Sequence, residues 1–173
     1  MNATAEDEGE ILLTRVLDAP RALVWQAWTD PAHLMRWFGP ESIAVTNCTI
    51  DARPGGTIRF VHEATDGSGL KVDVAGVFEE VVAPQRLVIL FGFVDADGRP
   101  ATHPLVPDWP LHARLRTEVT LAERDGKTLL TVRQTVVPQE AAASAGVRKE
   151  RGLARAGWAE TLDRLDALVS RAQ

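Results

Sequence analysis

The feature that most limits what this chain can fold into is one change of period near residue 141. Between residues 43 and 137 apolar side chains alternate with polar ones in short runs separated by turn formers, the mark of half-buried strands. Beyond it, Ala154, Trp158, Thr161, Leu162, Leu165, Leu168 and Val169 recur at helical spacing, with Arg155, Glu160, Asp163, Arg164 and Arg171 mostly on other faces. One long amphipathic helix therefore follows a series of strands. It can bury its apolar stripe only against the sheet those strands build.

Residues 10–17 predict a first strand. Asp18-Ala19-Pro20 stops it and opens a helix, with Asp18 as N-cap and the proline in the first turn; Leu23, Val24, Ala27 and Trp28 then fall at helical spacing. Asp30-Pro31 repeats the signal for a second short helix carrying Leu34, Met35, Trp37 and Phe38, which ends at Gly39-Pro40. Strands over 43–50 and 57–63 flank the turn Asp51-Ala52-Arg53-Pro54-Gly55-Gly56. Strands over 70–82 and 87–94 are joined through Ala83-Pro84-Gln85-Arg86, and strands over 113–121 and 128–137 meet around Asp125-Gly126. Residues 95–110 hold four prolines and no hydrophobic period, which predicts a long loop of a kind that is often functional. Gly146 and Gly152 blur the start of the last helix.

The expected fold is α+β: seven antiparallel strands curved around a long C-terminal helix, with two short helices between strands one and two. Such a curve leaves room for a cavity between sheet and helix. The 173 residues predict one domain over 9–173 and, from the small and acidic side chains at its start, a disordered tail over 1–8. The apolar runs are too short to cross a bilayer, and the acidic start is unlike a secretory leader. A lone Cys48 excludes an intramolecular disulfide framework and a cysteine-based zinc site, and with the rest predicts a cytoplasmic location. Net charge −5 argues against a nucleic-acid partner. Five Trp and five Phe with no Tyr supply large apolar surfaces but no phenol to act as an acid or donor.

Four segments in order resemble the START-like (SRPBCC, helix-grip) superfamily of the birch-pollen allergen and polyketide cyclases, and within it the branch named after heat-shock-protein ATPase activator homologues. They are Asp18-Ala19-Pro20 through Val24-Trp25-Gln26-Ala27-Trp28-Thr29-Asp30-Pro31 with Arg36-Trp37-Phe38-Gly39-Pro40; Asp51 to Gly56; Gly76-Val77-Phe78-Glu79-Glu80-Val81-Val82 with Pro84, Arg86 and Leu87; and Ala156-Gly157-Trp158 with Leu162-Asp163-Arg164-Leu165. The resemblance covers residues 10 to 171. It implies the helix-grip fold, and for function a range from ligand carriers and cyclases to co-chaperone-like domains.

Strand parity assigns one inward face to Ile58, Phe60 and His62, another to Val74, Gly76 and Phe78, and a third to Leu87, Ile89, Phe91 and Phe93. These residues either fill the core or line a cavity. His62 is either an exposed strand-end histidine or a group that orients a ligand, and Gln134 either bonds within the core or does the same. Gly157 beside Trp158 either lets the helix approach the sheet or enlarges the cavity. Trp109, in the proline-rich loop, is either a lid over the cavity or a pin for the loop. His103, His112 and Asp108 match no metal-ligand spacing, and Cys48 is expected to be a packing residue. Glu79 and Glu80, adjacent on a strand, should point to opposite faces. Arg148-Lys149-Glu150-Arg151 with Arg155 predicts a solvated helix face, or a docking surface for an acidic partner.

Nucleophile elbows, phosphate-binding glycine loops and helical metal motifs are missing from the sequence. The expected function is therefore binding of a small hydrophobic or aromatic molecule, without cofactor or metal, by Phe60, His62, Phe78, Phe91, Phe93, Trp109, Gln134 and Trp158. The alternatives are a polyketide cyclase-like enzyme using His62 as general base, and a co-chaperone-like module for a protein partner.

Overall fold

The chain runs β1 (Ile11–Leu17), α1 (Arg21–Thr29), α2 (Pro31–Leu34), β2 (Ile43–Ile50), β3 (Thr57–Ala64), β4 (Lys71–Val82), β5 (Arg86–Val94), β6 (Arg114–Arg124), β7 (Lys127–Val137), a 3-10 turn (Gln139–Ala143) and α3 (Ala145–Arg171). It is seen in a computed structural model that describes residues 9–171; the tail expected over 1–8 lies outside them. All seven strands join one curled antiparallel sheet in the order β1-β7-β6-β5-β4-β3-β2. Inward residues alternate as parity requires, with Ile58, Phe60, Phe78, Leu87, Ile89, Leu130 and Val132 all buried. The long helix α3 sinks Trp158, Leu162, Leu165 and Val169 into the interior. No described helix is long and apolar enough to cross a membrane.

Asp30 caps α2 as its sequence suggests, accepting from the backbone N–H of Ala32 at 2.9 Å and of His33 at 3.4 Å. The helix is a single turn, and Trp37 and Phe38 lie beyond it. Trp37 is nonetheless fully buried and donates its indole N–H to the Ala27 carbonyl at 3.0 Å. Asp18 does not cap α1. Pro20 holds that position with extended backbone; before it the chain bends through Asp18 and Ala19, where Ala19 is buried and its carbonyl accepts from Thr128 Oγ1 at 2.8 Å. Asp18 instead faces Lys127 Nζ at 3.9 Å.

Two further expectations are corrected. In β4 the register against β5 slips between Phe78 and Glu80, and this bulge reverses the parity that follows. Glu79 and Glu80 therefore share the outer face, where Glu79 pairs with Arg116, Glu80 with Arg86, and Glu118 with both arginines. In α3 the basic run is solvated only in part. Arg148, Lys149 and Arg155 are exposed, but Glu150 is 6% and Arg151 1% exposed, so two of the five residues point inward.

Gly146 explains how α3 begins. A Cβ there would lie 2.5 Å from the Asp108 carbonyl oxygen, so only glycine lets the first turn rest on the proline-rich loop. That loop is anchored by Trp109, 3% exposed and packed edge-on to Phe93 at 5.0 Å.

Candidate ligand-binding cavity

Between the concave face of the sheet and α3 lies a cavity of about 350 Å³. Its apolar wall is built by parity: Phe60 from β3, Val72 and Val74 from β4, Phe91 and Phe93 from β5, and Leu115 from β6. Trp158 and Thr161 face them from α3, and Phe38 closes one end. The rings interlock, with Phe38 5.3 Å from Phe60 and 5.8 Å from Trp158, and Phe60 6.1 Å from Phe91, all edge to face. Behind Trp158, Trp28 stacks at 6.5 Å and fixes its plane. Leu105 and Leu153, each about half exposed, line the same space from the loop and from α3 and so mark its rim.

Of the eight residues expected at the site, Phe60, His62, Phe91, Phe93, Gln134 and Trp158 line this cavity. Phe78 and Trp109 do not. Phe78 is fully buried in the core near the β4 bulge, and Trp109 packs behind Phe93 as a pin rather than over the opening as a lid. Gly157 lines the cavity too. A Cβ there would have only ordinary contact with Pro40, at 3.7 Å, so its missing side chain leaves room in the cavity rather than admitting a close approach.

The polar residues divide into two groups. His62 packs against Phe60 at 4.9 Å and Phe38 at 5.8 Å, and its Nε2 is buried with no hydrogen-bond partner among the described residues. Burial, with the nearby His103 as a secondary cause, pushes its pKa down to about 4, so the ring is neutral at physiological pH and weakly basic. His103 is also lowered, chiefly by burial; its Nδ1 accepts from the Leu105 backbone N–H at 3.0 Å, which places the proton of the neutral ring on Nε2.

The second group is a buried chain centred on Arg151. Its Nε and Nη2 donate to the two Glu150 oxygens at 2.6 and 2.8 Å, and its Nη1 donates to Gln134 Oε1 at 2.7 Å. Gln134 Oε1 also accepts from Trp158 Nε1 at 3.4 Å, while Gln134 Nε2 donates across the β6–β7 ladder to Thr117 Oγ1 at 2.8 Å. This network satisfies the polar groups that the sheet and helix bury there.

Sequence reasoning missed His103, Glu150, Arg151 and Phe38 as members of the site. For one of them a signal existed. Glu150 stands four and eight residues before Ala154 and Trp158, so extending the helical stripe one turn back reaches it. Cys48 is half-buried on β2, where desolvation raises its thiol pKa to about 11 and keeps it unreactive.

A curled antiparallel sheet gripping one long helix around an apolar cavity defines a helix-grip protein of the START-like class. The profile of the family described as "Activator of Hsp90 ATPase homolog 1-like protein" matches residues 18–170, and the chain belongs to that family. Solved structures of bacterial proteins share the fold. One from Chromobacterium violaceum is 29% identical, with 93% of this chain and 96% of that one covered and a TM-score of 0.71. One from Mycobacterium smegmatis is 28% identical, with 95% and 92% covered and a TM-score of 0.73. A third, from Arthrobacter aurescens, is 25% identical, with 98% and 90% covered and a TM-score of 0.78. No curated protein matches the chain.

Proposed function

We propose that this protein binds a small, largely apolar molecule in the cavity between the sheet and α3. The observation that carries the reading is the cavity itself, about 350 Å³ walled by Phe60, Phe91, Phe93 and Trp158, a size and lining that suit a small-molecule site. A ring system that buries about 200 Å² of apolar surface gains about 5 kcal/mol at roughly 25 cal/mol per Å², before the costs of association. The catalytic alternative draws less support. A histidine held near pKa 4 is a poor general base at neutral pH, and among the described residues no group hydrogen-bonds Nε2 of His62 to orient it.

Filling the cavity tests the proposal. Gly157→Leu places a side chain in the open space without obstructing backbone. With 2-naphthol as probe in equilibrium dialysis, the variant should unfold at or above the thermal midpoint of the wild type and bind at least 10-fold more weakly. Unchanged affinity would move the site elsewhere.

A further inference from the structure

The polar end of the cavity has a chemical bias that the apolar walls lack. Glu150 lines the cavity and is 6% exposed; among the described residues Arg151 is the one side chain that hydrogen-bonds it, and its charge also acts on His103. Each carboxylate oxygen takes one hydrogen bond from the guanidinium, and each keeps a second acceptor site. Of the neighbouring polar groups Gln134 is committed elsewhere, while His62 Nε2 has no hydrogen-bond partner among the described residues. Gln134 Oε1 already accepts from Arg151 and Trp158, and Thr161 Oγ1 donates to the Gly157 carbonyl at 2.7 Å, which leaves its oxygen as a second acceptor beside the cavity.

The charges also balance. Arg151 compensates Glu150 at bidentate distance, and burial keeps His62 and His103 biased to their neutral forms. A ligand carboxylate would meet the Glu150 carboxylate in an interior of low dielectric, and an ammonium would add an uncompensated charge.

We propose that Glu150 selects the occupant: an uncharged aromatic molecule with a hydroxyl or N–H donor at one end, the donor on the Glu150 carboxylate and the ring among Phe60, Phe91, Phe93 and Trp158. The inference rests on the cavity being a binding site, as proposed above, and adds which chemistry it admits. A phenol is the simplest member of the class. A hydrogen bond to a charged acceptor in a buried site contributes enough to separate donors from methylated analogues of nearly the same shape.

Four probes of one ring system test it by equilibrium dialysis against the full-length wild-type protein: naphthalene, 2-naphthol, 2-methoxynaphthalene and 2-naphthoate. The structure predicts that 2-naphthol binds at least 10-fold more tightly than 2-methoxynaphthalene and that 2-naphthoate binds most weakly of all. If naphthalene and 2-methoxynaphthalene bind as well as 2-naphthol, or 2-naphthoate binds best, selection by Glu150 is wrong while the cavity remains a binding site. If none of the four binds, the cavity reading falls and this one with it.

A paired variant separates Glu150 from the walls. Removing Glu150 alone would strand Arg151, so E150L is combined with R151M, which replaces the buried ion pair by apolar side chains of similar volume. Circular dichroism checks that the pair folds. The preference for 2-naphthol over 2-methoxynaphthalene should shrink to within 3-fold, and a preference that survives intact would overturn the assignment.

Discussion

Burial holds His62 in its neutral form, and that state affects stability as well as binding. Its pKa falls from 6.5 to about 4 on folding, so the unfolded chain binds the proton more readily than the folded one. The stabilisation is therefore complete above pH 6.5 and is lost as the pH falls towards 4. At about 1.4 kcal/mol for each tenfold change, the loss amounts to roughly 3 kcal/mol from this one residue. NMR titration of the ring should give a midpoint near 4, and His62→Phe should lose correspondingly less stability than the wild type between pH 7 and pH 4 in urea unfolding. A midpoint near 6.5 would show the ring to be solvated. Parity alone placed His62 inward; its depth depends on Phe38, which arrives from a distant part of the chain. Glu150 and Arg151 were harder to see, because a run of charges ordinarily marks a solvated surface. Their own ion pair, with Gln134 on a strand seventeen residues before Arg151, makes that burial tolerable.

At the scale of elements, the two glycines of α3 that face protein contribute in opposite ways. At Gly146 an added Cβ would collide with the Asp108 carbonyl, whereas at Gly157 it would meet only the Pro40 ring at an ordinary 3.7 Å. Gly146→Ala should therefore destabilise the fold by roughly 1–3 kcal/mol through forced repacking. Gly157→Ala should stabilise it by up to about 1 kcal/mol through helix propensity, at the expense of cavity volume. Urea midpoints read both, with the denaturant slope unchanged for Gly157→Ala. Strands and helices were legible within a few residues because their periods differ so plainly. The bulge in β4 was not legible, since nothing in Phe78-Glu79-Glu80 announces the extra residue that the pairing with β5 absorbs. Asp18 misled because Asp-x-Pro is a sound capping signal locally. The buried Ala19 and its bond from Thr128 on β7 override it.

For the whole molecule, the cavity follows from the curl of one seven-stranded sheet about a helix whose stripe pairs Trp158 with a residue of no side chain, Gly157. The change of period near residue 141 together with hairpin-length links was enough to anticipate this architecture. It was also enough to place most of the apolar wall, since inward parity is a property of each strand. At the polar end parity reached His62 and Gln134, but Glu150 and His103 were missed because they come from a helix and a loop that only the finished fold brings to that space. The central claim, a small-molecule site between sheet and helix, is tested most directly by amide and indole NMR shifts on titration with 2-naphthol. We predict saturable shifts at the Trp158 indole N–H and at the backbone amides of His62, Phe91 and Phe93, with the outer-face amides of Glu79 and Glu118 unmoved. Shifts that never saturate, or that fall on the outer face of the sheet while the Trp158 indole stays still, would contradict it.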